Sequence, residues 1–118
     1  MNTRDIGRIG EDYVTEYLKA HGCKILARNY CIRGGELDIV AKKGEILHIV
    51  EVKTRKAGAL SGGEEAITPK KIAHIIKAAR AYLLETEYGL SCVFDVAVVE
   101  IKNGSVSDLR YIQRAFTA

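Results

Sequence analysis

Glu36-Leu37-Asp38-Ile39-Val40-Ala41, Lys42-Lys43-Gly44-Glu45 and Ile46-Leu47-His48-Ile49-Val50-Glu51-Val52-Lys53 follow one another without a break. The first and third pieces are rich in β-branched and aliphatic residues and read as strands, and the second is a glycine-bearing turn, so the stretch predicts a β-hairpin. Side chains alternate between the faces of a strand. Glu36 and Asp38 therefore share one face, and Glu51 and Lys53 share one face of the partner. If Lys43 and Gly44 form a two-residue turn, residue 42 pairs with 45, 36 lies opposite 51, and 38 lies opposite 49. Opposed residues of an antiparallel pair point the same way, so all four polar side chains project together. A turn longer by two residues keeps that result, whereas one longer by a single residue reverses it.

The second strand is otherwise Ile, Leu and Val, the composition of a central, buried strand. Carboxylates clustered at its end repel one another and are expensive to desolvate unless something compensates. A Mg²⁺ or Mn²⁺ ion would do so, since these take oxygen ligands and leave positions for water and a substrate phosphate. Lys53 can orient an attacking water and offset charge at phosphorus. Together these are the parts for hydrolysing a phosphodiester. Asp38 and Glu51 are the expected metal ligands, and Glu36 is either a third ligand or a partner of Arg33 or Arg55. The competing reading is a Glu-Lys pair at a strand end with no chemistry.

Working outward, Ile6, Ile9, Tyr13 and Tyr17 recur at helical spacing between Thr3 and His21, and Gly22 supplies a stop. Lys24 to Ile32 is β-type and Arg33-Gly34-Gly35 a turn. Thr54 to Ile67 holds Gly58, Gly62 and Gly63 and reads as a loop. Thr68-Pro69 opens a helix, with threonine as N-cap and proline at the first position, that runs to about Glu87 and stops at Gly89. Cys92 to Ile101 and Val106 to Ile112 are strands joined by the hairpin signal Lys102-Asn103-Gly104-Ser105. The order α-β-β-β-α-β-β predicts an α/β protein, one mixed sheet flanked by helices in a single domain over residues 1–118. The second helix makes the crossover that returns the chain parallel to an earlier strand.

Of 118 residues, 47% are hydrophobic and 28% charged, with a net charge of +3. That balance excludes a disordered chain and permits a polyanionic partner without demanding one. No apolar run approaches the roughly 20 residues needed to span a bilayer. The N-terminal segment lacks the apolar core of a signal peptide. Cys23, Cys31 and Cys92 are odd in number and without metal-ligand spacing, which points to free thiols in a reducing compartment and hence to the cytoplasm. Lys70, His74 and Lys77 lie opposite the apolar stripe of the second helix, with Lys71 and Arg80 flanking. Such a stripe is most often only a solvated face. Here it follows Arg55 and Lys56, and with Arg33 these residues are candidates for phosphate contacts that position nucleic acid without reading its sequence. His21, His48 and His74 have no ligand spacing. His48 is expected on the face away from the carboxylates, and Asp95, interrupting a strand of Phe and Val, in a structural role, the alternative being support of the site from the neighbouring strand.

Gly10-Glu11, Arg33-Gly34-Gly35-Glu36-Leu37-Asp38, Val50-Glu51-Val52-Lys53-Thr54-Arg55, Ala66-Ile67-Thr68-Pro69-Lys70-Lys71 and Phe94-Asp95-Val96 together carry a resemblance. The sequence resembles the YraN-like family of uncharacterised bacterial proteins, which is similar to archaeal Holliday-junction resolvases and to the restriction-endonuclease-like PD-(D/E)xK fold. The resemblance implies Asp38 and Glu51 as metal ligands, Lys53 as the catalytic lysine and Glu11 as an added acidic residue. On a helical wheel alone Glu11 reads as a solvated acid. Leu37 stands where the generic nuclease motif has proline. The implied function is a Mg²⁺- or Mn²⁺-dependent endonuclease acting on DNA, branched or junction DNA included, as a homodimer by analogy with resolvases. The rival is a nucleic-acid-binding or assembly protein that keeps the fold without turnover. An RNA-directed enzyme is a third reading.

Overall fold

The computed structural model describes residues 2–58 and 67–118. Helix α1 spans Thr3–Ala20 and opens on Asn2, whose side chain accepts the Asp5 amide at 2.9 Å. It ends where Gly22 turns into the left-handed region at φ 88°, freeing the Cys23 amide to reach Leu18 O and the Gly22 amide to reach Lys19 O. This paired closure satisfies carbonyls that a helix end otherwise leaves orphaned.

Strands β1 (Lys24–Ile32), β2 (Gly35–Lys43) and β3 (Ile46–Lys56) follow, then helix α2 (Pro69–Thr86), β4 (Ser91–Lys102) and β5 (Ser105–Phe116). They form one five-stranded sheet in the order β1-β2-β3-β4-β5, with β3 and β4 parallel and the other neighbours antiparallel. The expected α/β architecture and the parallel return after α2 are both present. Strand β3 continues through Thr54, Arg55 and Lys56, which were expected in a loop, because these residues pair with Val99, Glu100 and Ile101 of β4. Gly62 and Gly63 of the expected loop lie outside the described residues. Helix α2 stops before Gly89, with Glu87 itself in the left-handed region at φ 57°.

The sheet separates two apolar clusters. On one face α1 packs Val14 and Leu18 against Ile39, Ala41, Val50, Ala97, Val99 and Ile101. On the other α2 packs Ile75, Ala78, Ala79 and Tyr82 against Leu37, Val40, Ile49 and Phe94. Both helices are amphipathic and each buries its stripe on a sheet face, which supplies most of the stability of such elements. Among the described residues no helix is long and apolar enough to cross a membrane.

The β2–β3 hairpin turns one position later than expected. Lys43 pairs with Ile46, so Gly44 and Glu45 are the turn residues, and Gly44 has the positive φ of 61° that a II′ turn requires at its first central position. Ile39 then lies opposite Val50, which brings Asp38 level with Glu51 in place of position 49. The register moves by an even step, so the faces are unchanged.

Gly35 sets how closely α2 approaches. A methyl group there would meet His74 O at 2.5 Å and the Ala78 side chain at 3.1 Å. Gly35→Ala is therefore expected to push the helix off the sheet and to destabilise the fold by about 1–3 kcal/mol, read by urea denaturation.

Candidate active site

The β2–β3 ladder ends at the pair Ile39–Val50. On the other side of β2, pairing steps from Arg28–Ile39 to Tyr30–Leu37, past an Asn29 in the left-handed region at φ 52°. Asp38 thus sits where β2 loosens from both neighbours. The strand's alternation is interrupted there, since Leu37 packs in the α2 cluster and Ile39 in the α1 cluster. The Asp38 carboxylate takes over the missing ladder bond, Oδ2 accepting the Val52 amide at 2.8 Å.

Glu51 ends the apolar run of β3 and is only 5% exposed. The hairpin register brings Asp38 level with it, so the two carboxyl groups stand side by side at the strand end. Burial first, then the Glu51 charge and the hydrogen bond between the two groups, push Asp38 up to about 7, against the opposing pull of the Val52 amide and Lys71. The Nζ of Lys71, from the first turn of α2, lies 3.3 Å from Glu51 Oε2. Burial pulls the Lys71 ammonium down, but attraction from Glu51, then Asp38 and Glu36, outweighs it and its pKa ends above the ordinary lysine value.

Lys53 follows two positions after Glu51 on the same face of β3. It is half-buried, and among the described residues no carboxylate lies within ion-pair distance of it. Glu11 approaches from α1. Its Oε1 is 3.6 Å from Nη2 of Arg28, a group that also holds Asp12 at 2.8 Å. Burial first and the charge of Asp38 second raise its pKa. The helical wheel placed Glu11 in solvent; in the fold it is half-buried beside Arg28 and feels the charge of Asp38. Glu36 is exposed and lines a cleft of about 330 Å³ with Gly35, Lys71, His74 and Ile75.

Among the described residues no group of three or more His, Cys, Asp or Glu side chains converges closely enough to hold one ion. Asp38 and Glu51 stand together, and neither Glu36 nor Glu11 joins them in a set of three. That pair still fits Mg²⁺ or Mn²⁺. Hard oxygen donors suit these ions, which are commonly held by one or two carboxylates with water and substrate phosphate completing the shell. Two neighbouring carboxylates, one buried and one half-buried, are also what a divalent charge would relieve.

The basic candidates divide. Lys70, His74, Lys77 and Arg80 are exposed along α2, and Arg33 is exposed in the turn before β2, whose Gly34 lies beside Lys77. Arg55 instead pairs with Glu100 at 2.9 Å within the sheet. Lys56 lies with Ile6, Ala57 and Ile101 on the α1 side, away from the carboxylates. Arg55 therefore shares the sheet face of Glu51 and Lys53 but is engaged by Glu100, whereas alternation turns Lys56 to the α1 side. His48 is on the α1 face as expected, its Nδ1 2.7 Å from Asp95 Oδ2. Asp95 is fully buried and also accepts the Tyr111 hydroxyl at 2.6 Å and the Arg114 amide at 2.9 Å.

Sequence reasoning assigned Lys71 to the flank of a solvated stripe and missed its approach to Glu51. The signal was present in Thr68-Pro69, since the Thr68 side chain accepts the Lys71 amide at 3.1 Å and so fixes Lys71 in the first turn. What the sequence lacked was the side of the sheet on which that turn lands.

The family model described as "Uncharacterised protein family UPF0102" matches residues 10–99 of this chain. A UPF0102 protein of Syntrophomonas wolfei subsp. wolfei is 40% identical over 114 residues, covering 96% of this chain and 98% of the relative. One of Caldicellulosiruptor saccharolyticus is 38% identical over 98% of this chain and 100% of the relative. One of Carboxydothermus hydrogenoformans is 44% identical over 72% of each.

Proposed function

We propose that this chain, which belongs to the uncharacterised protein family UPF0102, is a Mg²⁺- or Mn²⁺-dependent endonuclease hydrolysing phosphodiester bonds in DNA, branched or junction DNA in particular. The observation that carries this reading is the meeting of the Asp38 and Glu51 carboxyl groups at a loosened strand end, with Lys53 following on the same face. Asp38 and Glu51 would hold the ion, and when bound it supplies Lewis acidity toward a phosphoryl oxygen. The Val52 amide fixes the orientation of the Asp38 carboxylate. Lys53 orients the attacking water and offsets negative charge as it develops at phosphorus. Lys70, His74, Lys77 and Arg80 lie on one exposed helix face suited to backbone phosphates, which would position DNA without specifying sequence. The emphasis on junctions and on a two-fold dimer comes from the resemblance to resolvases.

The test is cleavage of linear, nicked and four-way-junction DNA and of single-stranded RNA by purified protein with Mg²⁺, Mn²⁺ or EDTA. Cleavage of DNA with either metal and none in EDTA is the expected result. Binding without cleavage under every metal would replace the proposal with a nucleic-acid-binding protein that keeps the fold without turnover.

A pH dependence follows from the buried pair. Asp38 rises from an ordinary 3.8 to about 7 in the folded, metal-free chain. A carboxyl group raised by folding contributes stability that is full below its unfolded value and is lost as pH climbs through the folded one. The metal-free melting temperature should therefore fall between about pH 4 and pH 7 from this group. Because the ion competes with the proton, Mn²⁺ should raise the melting temperature clearly near pH 8 and little near pH 5. Thermal melts across that range, with Asp38→Asn expected to flatten the Mn²⁺ response, check this. A Mn²⁺ shift equal at both ends of the range would contradict it.

A further inference from the structure

Glu51 is buried, and the Lys71 ammonium lies beside it, with Nζ 3.3 Å from Oε2. The two ends of this pair differ in environment, the Lys71 side chain being 40% exposed and that of Glu51 only 5%. A buried carboxylate stripped of its partner is strongly destabilising, so Glu51 in its charged form needs a cation beside it. Two cations on one carboxylate repel, the more strongly where water is thin, so each weakens the other's hold. The Lys71 backbone is fixed by the Thr68 cap, so what is free to move is its flexible four-carbon stem. The cleft lined by Lys71, Glu36 and His74 lies directly alongside and gives the ammonium somewhere to go.

We propose that Lys71 is a resident cation in the carboxylate site that an incoming divalent ion displaces toward the phosphate of a bound nucleic acid, so that metal and DNA bind cooperatively through one side chain. This rests on the metal-dependent reading above and adds a positioning and coupling role for a residue outside the Asp38, Glu51 and Lys53 set. The displaced ammonium joins the face that carries Lys70, His74 and Lys77, where it gains a phosphate contact it cannot make while held by Glu51. By linkage, whatever the ion gains from the presence of DNA, DNA gains from the ion.

The experiment reads binding and not turnover. Mn²⁺ affinity is measured by electron paramagnetic resonance or calorimetry on wild type, Lys71→Ala and Lys70→Ala, the last removing the same charge from the neighbouring position. Lys71→Ala should bind Mn²⁺ about tenfold more tightly, the scale of a charge-assisted hydrogen bond removed from competition, and Lys70→Ala should stay within about twofold of wild type. Lys71→Met, which keeps the aliphatic stem, should repeat the Lys71→Ala result if alanine compromises folding. Duplex DNA affinity is then compared with Mn²⁺ and with EDTA in a Lys53→Ala background that suppresses cleavage. Mn²⁺ should tighten DNA binding about tenfold there, and by less than about threefold once Lys71 is also removed. Unchanged or weaker Mn²⁺ binding by both Lys71 variants overturns this inference while leaving the nuclease reading intact. Absence of Mn²⁺ binding from wild type and Lys71 variants alike overturns both.

Discussion

Asp38→Asn and Lys53→Ala will each lower metal-dependent DNA cleavage to below about a thousandth of wild type, a loss of roughly 4 kcal/mol of transition-state stabilisation. Asparagine can still accept the Val52 amide, so the strand end stays shaped, but it offers the ion no charge. Asp38→Asn should lose Mn²⁺ binding and cleavage together. Lys53→Ala should keep Mn²⁺ binding and lose cleavage, because the proposed role of Lys53 lies in the reaction and not in holding the ion. Among the described residues Lys53 has no carboxylate partner to abandon, so its removal should leave the melting temperature near wild type. Cleavage rates, Mn²⁺ titration and thermal melts on the same preparations separate these effects. Cleavage surviving in both variants would move the chemistry away from this hairpin.

Asp95→Ala will destabilise the fold by about 3–5 kcal/mol, measured by urea denaturation, without changing Mn²⁺ affinity. The Asp95 carboxylate is fully buried and takes three donors, from His48, Tyr111 and the Arg114 main chain. Alanine strands all three. Burial first, and the Asp95 hydrogen bond second, hold the Tyr111 phenol protonated, so it is a committed donor with no alternative state to adopt. The Arg114 amide belongs to a residue at φ 51° in β5, where the pairing with β4 is irregular between Phe94 and Val96. Asp95 therefore pins an irregular strand as well as two side chains. It does so on the α1 face, across the sheet from Glu51, which is why the metal readout should stay still.

The sheet was readable because its signals are local. Val, Ile and Leu in β2, β3 and β4 announce strands, Thr68-Pro69 announces α2, and Asn103-Gly104, both at positive φ, announce the last hairpin. The carboxylate face was readable because alternation has period two and tolerates an even error in register, which is the error the Gly44-Glu45 turn introduced. Features set by distant packing were hidden. Nothing near Lys71 in sequence says that α2 lands with its first turn over Glu51, and nothing near Glu11 says that Asn29 and Arg28 draw it toward Asp38. Arg55 looked available because its partner Glu100 is far along the chain and becomes adjacent only through the parallel ladder.

The ladder between β2 and β3 joins five residue pairs, whereas that between β3 and β4 joins eleven. Asp38 belongs to the first strand and Glu51 to the second, so they face each other across the open mouth of the shorter seam. An ion held there would act as a rivet, fastening the β1–β2 hairpin and its overlying helix to the rest of the sheet. Emptying the site would then let the seam breathe from that end, and the protein's mechanical integrity would follow its metal supply.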